Sequence, residues 1–314
     1  MKTQLATWRT EWRLRRYNHK SPIKYYNFWT DQRPEEMWLS RFIVNHFGPL
    51  SKGMRVNFTS ILGSTAHMRD HRPGRNIFYT GENIHADRFA NQLQRYQSQH
   101  YDRSIGFDLA GENNYLRLPL WVMWHFPPEA TEKDIDTMVE KMRHPSLGKR
   151  PRFCALVSSH DTGGLRAEMM DALQDIADVD SAGRFRHNTD DLRLQYNDDK
   201  PSFLRQYRYN ICPENSDCPG YVTEKVFDAI LSGCIPIYSG SAGTPEPDIL
   251  NPECIMQWEP GKPNSELLAR IRHLESQPDE YYSLASKPRL LAGAEQRIWK
   301  YYSDLHNLLK PLLQ

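Results

Sequence analysis

The chain has 314 residues, and its 40 Lys and Arg residues against 39 Asp and Glu residues leave a formal net charge of +1. This balance excludes the strong basic field of a nucleic-acid-binding protein, and a hydrophobic content of 39% is typical of a globular chain. The length allows two domains of roughly 150 residues, each with its own core.

The N-terminal segment "WRTEWRLRR" is basic and carries Trp8 and Trp12 one helical turn apart. We expect a solvated, charged helix whose tryptophans pack inward, because most amphipathic helices cover a core. The alternative is a weak peripheral contact with the inner face of an anionic membrane. Since no apolar run reaches the ~18 residues of a membrane span and no signal-peptide pattern is present, we expect a cytoplasmic protein.

Short apolar runs alternate with helical windows along the rest of the chain, which is the pattern of an α/β fold. A helix is predicted over 165–177, where Leu165, Met169 and Leu173 recur at helical spacing. The predicted strands are 23–29, 75–80, 104–108, 152–159, 208–215 and 234–240.

The polar segment "RHPSLGKRPR" (Arg143 to Arg152) is the predicted linker, because it contains Pro and Gly and strand patterns lie on either side. We therefore place an N-terminal domain at 1–147 and a C-terminal domain at 148–314. The last segment, "QRIWKYYSDLHNLLKPLL", has one apolar helical face. It is predicted to dock on a core, with the N-terminal domain as one candidate surface.

The stretch "ENSDCPGYVTEKVFDAILSGCIPIYSG" (Glu214 to Gly240) predicts a helix over 224–232, with Thr223 as its N-cap and Gly233 as the left-handed residue that ends it. Lys225 then lies in the first helical turn, where the helix dipole disfavours a cation unless an anion binds. Such loops face the ligand crevice of an open α/β sheet, and helix N-termini there bind phosphate. A phosphate site is therefore predicted, with an ordinary surface Glu–Lys pair as the alternative.

The five cysteines lack paired CxxC spacing, so we expect reduced, structural thiols and no zinc site. "DVD" (Asp178 to Asp180) has the form of a motif that holds a metal. It offers too few clustered oxygen ligands, so no metal site is predicted there.

Several stretches together resemble one family. The composite "ENS", "GYVTEK", "DA", "G", "IPIY" and "G" within 214–240 is similar to the signature of the α1,3/α1,4-fucosyltransferases. Further matching stretches are "NIFYTGEN" (76–83), "SIGFD" (104–108), "YLRLPLW" (115–121), "LVSSHDTGGLRAEMMDAL" (156–173), "VDSAGR" (179–184) and "FLRQYRYNICPEN" (203–215). The first 70 residues and the tail match weakly.

The resemblance implies a GT-B fold, an α/β architecture of two Rossmann-like domains with a cleft between them. It also implies inverting transfer of L-fucose from GDP-β-L-fucose to a sugar hydroxyl, with no required metal or other cofactor. The C-terminal domain of such enzymes holds the donor, and the N-terminal domain shapes the acceptor side. The phosphate expected near the predicted helix start would then be the GDP diphosphate.

The family motifs also imply roles for single residues. By its match to "YTGEN", Glu82 is the implied general base, since a well-placed carboxylate can deprotonate the acceptor hydroxyl. Lys225 and Arg166 are the implied cations that stabilise the leaving diphosphate. Arg166 follows "TGG" at a predicted helix start, which by itself resembles a phosphate-facing loop.

Asn215, Tyr221 and Glu224 are implied donor-binding residues, through their amide, hydroxyl and carboxylate. Pro213 departs from the family, which commonly has an aromatic residue before "EN". Because proline fixes φ and lacks an N–H, the loop entering the donor site is expected to differ in shape.

The leading functional prediction is α1,3-fucosylation of the GlcNAc 3-hydroxyl of an N-acetyllactosamine-type glycan, giving a Lewis x-type product. Other acceptors stay open: the glucose of lactose, a type 1 chain with an α1,4 linkage, or another capsule or lipopolysaccharide sugar. A catalytically silent glycan-binding protein is the alternative of another class. An oxidoreductase is disfavoured because no GxGxxG follows a predicted strand. The oligomeric state and the guanine pocket stay unassigned.

Overall fold

The computed structural model describes residues 2–30, 32–68, 72–96, 100–111 and 114–314. The chain divides into two compact units. The first unit runs to Ile135 and includes Ile298–Gln314, and the second unit is Asp136–Arg297. This division falls within a helix, earlier than the boundary predicted at residue 147, and the C-terminal segment groups with the first unit.

The strands in the described residues are β1 (Ile23–Tyr26), β2 (Val56–Thr59), β3 (Arg75–Tyr79), β4 (Arg103–Gly106), β5 (Tyr115–Arg117), β6 (Arg152–Leu156), β7 (Val179–Ser181), β8 (Tyr207–Ile211), β9 (Ile235–Tyr238) and β10 (Met256–Gln257). The helices are α1 (Lys2–Asn18), α2 (Trp38–Phe47), α3 (Ala90–Arg95), α4 (Leu120–His125), α5 (Glu132–Arg143), α6 (Leu165–Gln174), α7 (Asp191–Leu194), α8 (Lys200–Leu204), α9 (Glu224–Leu231), α10 (Ser265–Ser276), α11 (Pro278–Ala285) and α12 (Ala294–Leu313). The six strands predicted from the sequence correspond to β1, β3, β4, β6, β8 and β9. The other four strands, which have two to four residues, were not predicted.

The described strands of the first unit form a parallel sheet in the order β1-β2-β3-β4-β5. Ile23 pairs with Val56, and Ile77 pairs with Arg103. Because the strands are parallel, their carboxyl ends lie at one edge of the sheet, which is where open α/β sheets bind ligands. The residues that follow β1, β3 and β4 therefore share this edge.

The described strands of the second unit form a parallel sheet in the order β10-β9-β8-β6-β7. After β6 the chain adds β7 on one side and then returns to add β8 on the other. The strand order thus reverses between β6 and β8. Such a switch point opens a crevice beyond the carboxyl ends of the two strands.

The core of the second unit lies between its sheet and the helices that cover it. Met169 and Leu173 of α6 are buried against Ile211 of β8 and Ile237 of β9, within one apolar cluster. The helical spacing predicted for α6 is therefore confirmed, although α6 ends at Gln174, before the predicted end at 177.

Helix α12 docks within the first unit. Its buried face contains Ile298, Tyr302, Leu305 and Leu309. The side chains of Arg75 and Arg103 donate through Nε to the backbone oxygens of Leu312 and Leu308, at 3.1 and 3.0 Å. The Leu312 carbonyl belongs to the last turn of the helix, where carbonyl groups lack partners within the helix, so the Arg75 bond satisfies it. Apolar packing and hydrogen bonds from β3 and β4 therefore both hold α12 on the sheet of the first unit.

Helix α1 presents an unexpected face. Leu14 and Asn18 are buried, and the Asn18 side chain bonds both the N–H and the carbonyl of Tyr25 at the end of β1. Trp12 is 53% exposed, so the prediction that it packs inward is wrong, because only the opposite stripe of α1 meets the sheet. The side chain of Trp8 lies outside the described residues.

No described helix has the length and apolar character needed to span a membrane.

The predicted linker is a packed part of the second unit. Arg150 is buried, and its guanidinium donates to the carbonyls of Tyr207 and Ser232 at 2.9 and 2.7 Å. It thereby ties the segment before β6 to the end of α9 and the start of β8. Residues around Arg150 stay exposed, but this one buried arginine fixes the segment to the sheet.

Candidate active site

A small cavity lies at the carboxyl ends of β6 and β8, at the switch point of the second sheet. Residues 156–158 and 210–213 line it, together with Arg166, Lys200 and Lys225. Its volume is about 30 Å³. The side chains of three cations therefore meet at one small cavity at the switch point.

Arg166 lies in the first turn of α6 and is 4% exposed. Its Nη2 donates to Oδ1 of Asn215 at 2.8 Å and to the backbone oxygen of Pro213 at 3.4 Å. Burial lowers the pKa of the guanidinium, and the charges of Asp161 and Glu214 oppose this shift. Both of these acceptors are neutral, so an anionic ligand would complete the surroundings of this buried cation.

Lys225 lies in the first turn of α9 and is held by Glu214. Its Nζ donates to Oε2 of Glu214 at 3.0 Å and to Oγ1 of Thr223 at 2.7 Å. The Glu214 side chain is 0% exposed. Burial by itself lowers the pKa of Lys225, but the charges of Glu214 and Glu224 together raise it above the ordinary value. The helix-start cation is therefore compensated by a carboxylate of the chain itself.

Thr223 occupies the N-cap position of α9, but the predicted side-chain cap is wrong. Its side chain makes no capping bond, and its hydroxyl donates to Oε2 of Glu214 at 2.7 Å. A charged acceptor forms a stronger hydrogen bond than a neutral one, which explains the choice. The predicted end of the helix is confirmed, since Gly233 has a φ of 74°.

Glu224 adds a second carboxylate beside Lys225, with 3.7 Å between Oε1 and Nζ. Burial by itself raises the pKa of Glu224, but the charge of Lys225 and a backbone N–H bond lower it below the ordinary value. Glu224 is therefore ionised at neutral pH. The site thus offers cations for a diphosphate and a carboxylate for hydroxyl groups or positive charge.

The N-terminus of α6 is already occupied. The Asp161 carboxylate accepts from the backbone N of Arg166 at 3.0 Å and of Ala167 at 2.9 Å. The "TGG" loop is therefore not a free phosphate-binding loop as its sequence suggests. Arg166 contributes through its side chain, while the amide groups beside it serve Asp161.

The other predicted donor-site residues have different surroundings. Asn215 is held by Arg166, whereas Tyr221 is 1% exposed and does not line the cavity.

Pro213 interrupts no bond to β9, because the N–H groups of Cys212 and Glu214 on either side bond the carbonyls of Ile237 and Ser239. The chain keeps an extended course through Pro213, so the missing N–H leaves this pairing intact.

No metal-binding group of three or more His, Cys, Asp or Glu side chains is present among the described residues. Asp180 of the "DVD" segment accepts hydrogen bonds from the Tyr207 hydroxyl at 2.7 Å and from Nη1 of Arg152 at 3.2 Å. The five cysteines are free thiols.

Glu82 lies at the carboxyl edge of the first sheet, three residues after β3. The Thr80 side chain bonds both the N–H and the carbonyl of Glu82, which fixes the turn. Nη2 of Arg88 lies 2.8 Å from Oε2 of Glu82, whose side chain is partly exposed. The partly exposed carboxylate at this edge can therefore reach a ligand.

Further groups lie on the same edge of the sheet. Nε2 of His85 lies 2.8 Å from Oδ1 of Asp108, which follows β4. The indole of Trp29, which follows β1, lies 5.7 Å from the ring of Tyr79. Sequence reasoning missed these residues, because only the sheet brings the ends of β1, β3 and β4 together.

Glu214 and Lys200 were also missed in the second unit. Glu214 stands in the "EN" of the family signature, yet no local pattern shows that its carboxylate binds Thr223 and Lys225. Lys200 follows two aspartates in "NDDK" and looks like a surface residue. In the structure it lines the switch-point cavity and pairs with Asp228 at 2.7 Å.

Two family models match the chain. The model for the C-terminal part of glycosyltransferase family 10 (fucosyltransferase) matches residues 147–286, and the model for the N-terminal domain of the α-(1,3)-fucosyltransferase FucT matches residues 23–124. Together the two matched ranges contain all the described strands of both sheets. The chain belongs to glycosyltransferase family 10.

Two curated proteins are similar in sequence to the family 10 chain. The α-(1,3)-fucosyltransferase FucT of Helicobacter pylori is 29% identical over 293 residues, which cover 82% of this chain and 58% of that protein. GDP-fucose protein O-fucosyltransferase 3 of Gallus gallus is 31% identical over 146 residues, 39% of this chain and 28% of that protein. The chain thus spans about three fifths or less of the length of these relatives.

Solved structures show the fold of the family 10 chain. A crystal structure of an α1,3-fucosyltransferase matches with a TM-score of 0.64 and 24% identity, covering 93% of this chain and 91% of that one. A structure of an α1,3-fucosyltransferase with GDP-fucose matches with a TM-score of 0.60 and 22% identity, covering 90% and 89%. The predicted α/β fold of the GT-B class is therefore confirmed.

Proposed function

We propose that the chain is an inverting α1,3-fucosyltransferase. It moves L-fucose from GDP-β-L-fucose to the GlcNAc 3-hydroxyl of an N-acetyllactosamine-type acceptor. The observation that carries the proposal is the convergence of Arg166 and Lys225 at the switch point of a family 10 sheet. The names of the Helicobacter pylori relative and of the structure with GDP-fucose support the same donor and linkage.

The donor half of the mechanism depends on charge. As the bond between fucosyl C1 and the diphosphate oxygen breaks, negative charge grows on the diphosphate, so cations fixed there stabilise the transition state more than the ground state. Lys225 and Arg166 take this role, and Glu214 holds Lys225 in its charged form. Asn215 orients the donor, while Glu224 binds a ribose hydroxyl or stabilises positive charge on the fucosyl ring. Tyr221 is assigned to donor binding by its motif match alone, because its side chain is buried and does not line the cavity.

The acceptor half depends on Glu82. Its carboxylate takes the proton of the acceptor hydroxyl while that oxygen forms a bond to C1 on the face opposite GDP, which inverts C1 in one displacement. The Thr80 bonds hold the Glu82 backbone, and Arg88 pairs with the carboxylate. Since two cations already neutralise the leaving group, the mechanism requires no metal.

Other acceptors remain candidates with the same donor chemistry: lactose, a type 1 chain that receives an α1,4 linkage, or another capsule or lipopolysaccharide sugar. A protein acceptor is a further candidate, favoured by the 31% identity to a protein O-fucosyltransferase. A catalytically silent glycan-binding protein is the alternative of another class, and detectable turnover would exclude it.

The test is transfer from GDP-fucose to N-acetyllactosamine, its β1,3-linked isomer, lactose and an unstructured Ser/Thr-containing peptide, with the product linkage read by NMR. An α1,3 linkage to GlcNAc is the expected result. If product forms on another acceptor, the chain is still a fucosyltransferase, but the proposed acceptor is wrong. If GDP-fucose binds and no product forms, the acceptor half of the proposal is wrong. If GDP-fucose does not bind, the donor half fails as well.

A further inference from the structure

Trp29 presents a large aromatic surface to solvent at the carboxyl edge of the first sheet. It lies three residues after the end of β1 and is 39% exposed, whereas Phe28 beside it is buried. An exposed indole at the ligand-binding edge of an α/β sheet contributes little to the core. This position therefore points to a ligand.

The backbone after β1 is built to turn this residue outward. Asn27 adopts a left-handed conformation with a φ of 59°, which Asn tolerates better than most residues, and its side-chain amide donates to the carbonyl of Ser64 at 3.0 Å. The turn lets Phe28 enter the core, where it packs edge-on against Tyr25. Trp29 then stacks on Phe28, with 5.2 Å between ring centroids. Contact with this buried ring fixes the orientation of the indole.

Aromatic contacts connect Trp29 to the predicted base. The indole lies 5.7 Å from the ring of Tyr79, the last residue of β3. Burial raises the pKa of Tyr79, and the charge of Glu82 raises it further. Only Thr80 and Gly81 separate Tyr79 from Glu82 along the chain. The exposed indole and the carboxylate are therefore neighbours on one edge.

Hydrogen-bonding groups lie on the same edge. The His85–Asp108 pair is partly exposed, with side-chain exposures of 45% and 31%. The Tyr115 hydroxyl donates to the carbonyl of Asp108 at 3.2 Å and holds that loop. An aromatic face and fixed hydrogen-bonding groups on one sheet edge suit a saccharide, because its C–H groups stack on an aromatic face while its hydroxyls need polar partners.

We propose that Trp29 is the platform on which the galactose ring of the acceptor stacks, with the His85–Asp108 pair on the same edge binding hydroxyls of the acceptor saccharide. In galactopyranose the hydrogens on C3, C4 and C5 point to one face, which forms a continuous apolar patch. Their slight positive charge favours the negative face of the indole. Glucose has no such patch, since its 4-hydroxyl has the opposite configuration. The acceptor identity used here rests on the proposed function, whereas the sugar-stacking role of Trp29 does not.

The test measures saccharide binding without turnover. Saturation-transfer-difference NMR on the full chain with GDP present compares N-acetyllactosamine with the disaccharide in which glucose replaces galactose. The variants are Trp29→Ala, Trp29→Phe and, as the matched control, Trp124→Ala, which removes a 60% exposed tryptophan on α4 of the same unit. Thermal unfolding shows which variants are folded, and Trp29→Phe keeps a ring in contact with Phe28.

The wild type is expected to saturate the galactose C–H protons most strongly and to prefer the galactose disaccharide. Trp29→Ala should weaken that binding about tenfold and remove the preference, while Trp29→Phe should lose less than about threefold, since a smaller ring still stacks. Trp124→Ala should match the wild type. The inference is overturned if Trp29→Ala binds as the wild type does, if Trp29→Phe loses as much as Trp29→Ala, or if no saccharide gives a signal with the wild type.

GDP-fucose binding and transfer, measured on the same preparations, keep the two proposals apart. Loss of saccharide binding in Trp29→Ala with intact GDP-fucose binding supports the platform and leaves the donor site untouched. If the wild type transfers no fucose yet binds galactosides through Trp29, the proposed function fails and the platform stands.

Discussion

Nζ of Lys225 lies 3.0 Å from Oε2 of Glu214, and this pair connects the end of β8 to the start of α9. Glu214 also accepts from the backbone N of Thr223 at 2.8 Å and from the Tyr238 hydroxyl at 3.4 Å. A cation at a helix start, where the dipole opposes it, is thereby held charged and in one orientation before any ligand binds. The diphosphate of the proposed donor would meet a positioned lysine rather than a mobile one.

Glu214→Gln is expected to lower the free energy of unfolding by about 3 kcal/mol, because it leaves the Lys225 charge buried with only Glu224 as a more distant partner. Urea denaturation measures this loss, and calorimetry with GDP measures the accompanying loss of donor affinity. Glu253→Gln breaks the exposed pair with Lys287 and serves as the control, with unfolding expected to stay nearly unchanged. Equal stability of the two variants would show that the buried network is not stabilising.

Lys225→Ala tests whether this lysine acts in transfer beyond its structural role. Loss of one charge-assisted contact of about 1.5–3 kcal/mol predicts roughly a tenfold to hundredfold loss of transfer. The variant also leaves Glu214 buried without its closest cation, so the double variant Lys225→Ala/Glu214→Gln should recover stability while transfer stays low. If the double variant recovers transfer as well as stability, Lys225 has only a structural role.

Glu82→Gln is expected to abolish most transfer while leaving donor binding intact. The amide cannot take the acceptor proton, and general-base catalysis commonly contributes about 10²–10⁴-fold. GDP-fucose affinity and the transfer rate are measured on the same sample. Glu129→Gln, which removes another partly exposed carboxylate paired with an arginine in the first unit, should retain full activity. A Glu82→Gln enzyme that turns over normally would sink the assignment of the base.

The sequence allowed a partial prediction of the fold. Strands such as β6, β8 and β9 have long apolar runs bordered by turn residues, so their positions were predictable. β7 and β10 were not, because strands of two or three residues depend on neighbours that only the folded sheet supplies. The switch point between β6 and β8 depends on β7, so the local pattern did not reveal it.

The candidate site shows the same limit at the level of side chains. Motif matches indicated Arg166 and Lys225, which the fold brings to one cavity. The partners of Lys225 come from β8 and from the residue before α9, and no periodicity predicts which carboxylate is buried. Thr223 shows the consequence, since a residue ideal for a cap bonds Glu214 instead.

The lowered pKa of Glu224 predicts a pH dependence of stability. A carboxylate whose folded pKa lies below its unfolded value of 4.5 stabilises the fold fully above that value, and this stabilisation disappears as the pH falls through the folded pKa. The difference in unfolding free energy between the wild type and Glu224→Gln should therefore be constant from pH 6 to 8 and shrink below about pH 4. Urea titrations across this range measure it. A difference that grows on acidification contradicts the predicted sign.

Gly240 tests the packing around Glu214 without changing any charge. Its φ of 145° disfavours a side chain, and an added Cβ would lie 2.8 Å from Cγ of Glu214 and 2.9 Å from the Tyr238 hydroxyl. Gly240→Ala must therefore displace the carboxylate that holds Lys225, at a cost of about 1–3 kcal/mol in unfolding free energy. Gly243→Ala is the matched control, since its φ of 81° is also strained but nothing lies within 4 Å of the new methyl group. If positioning by Glu214 matters to the donor site, GDP affinity falls in Gly240→Ala and not in Gly243→Ala. An equal loss in both variants would assign the effect to backbone strain in the loop after β9.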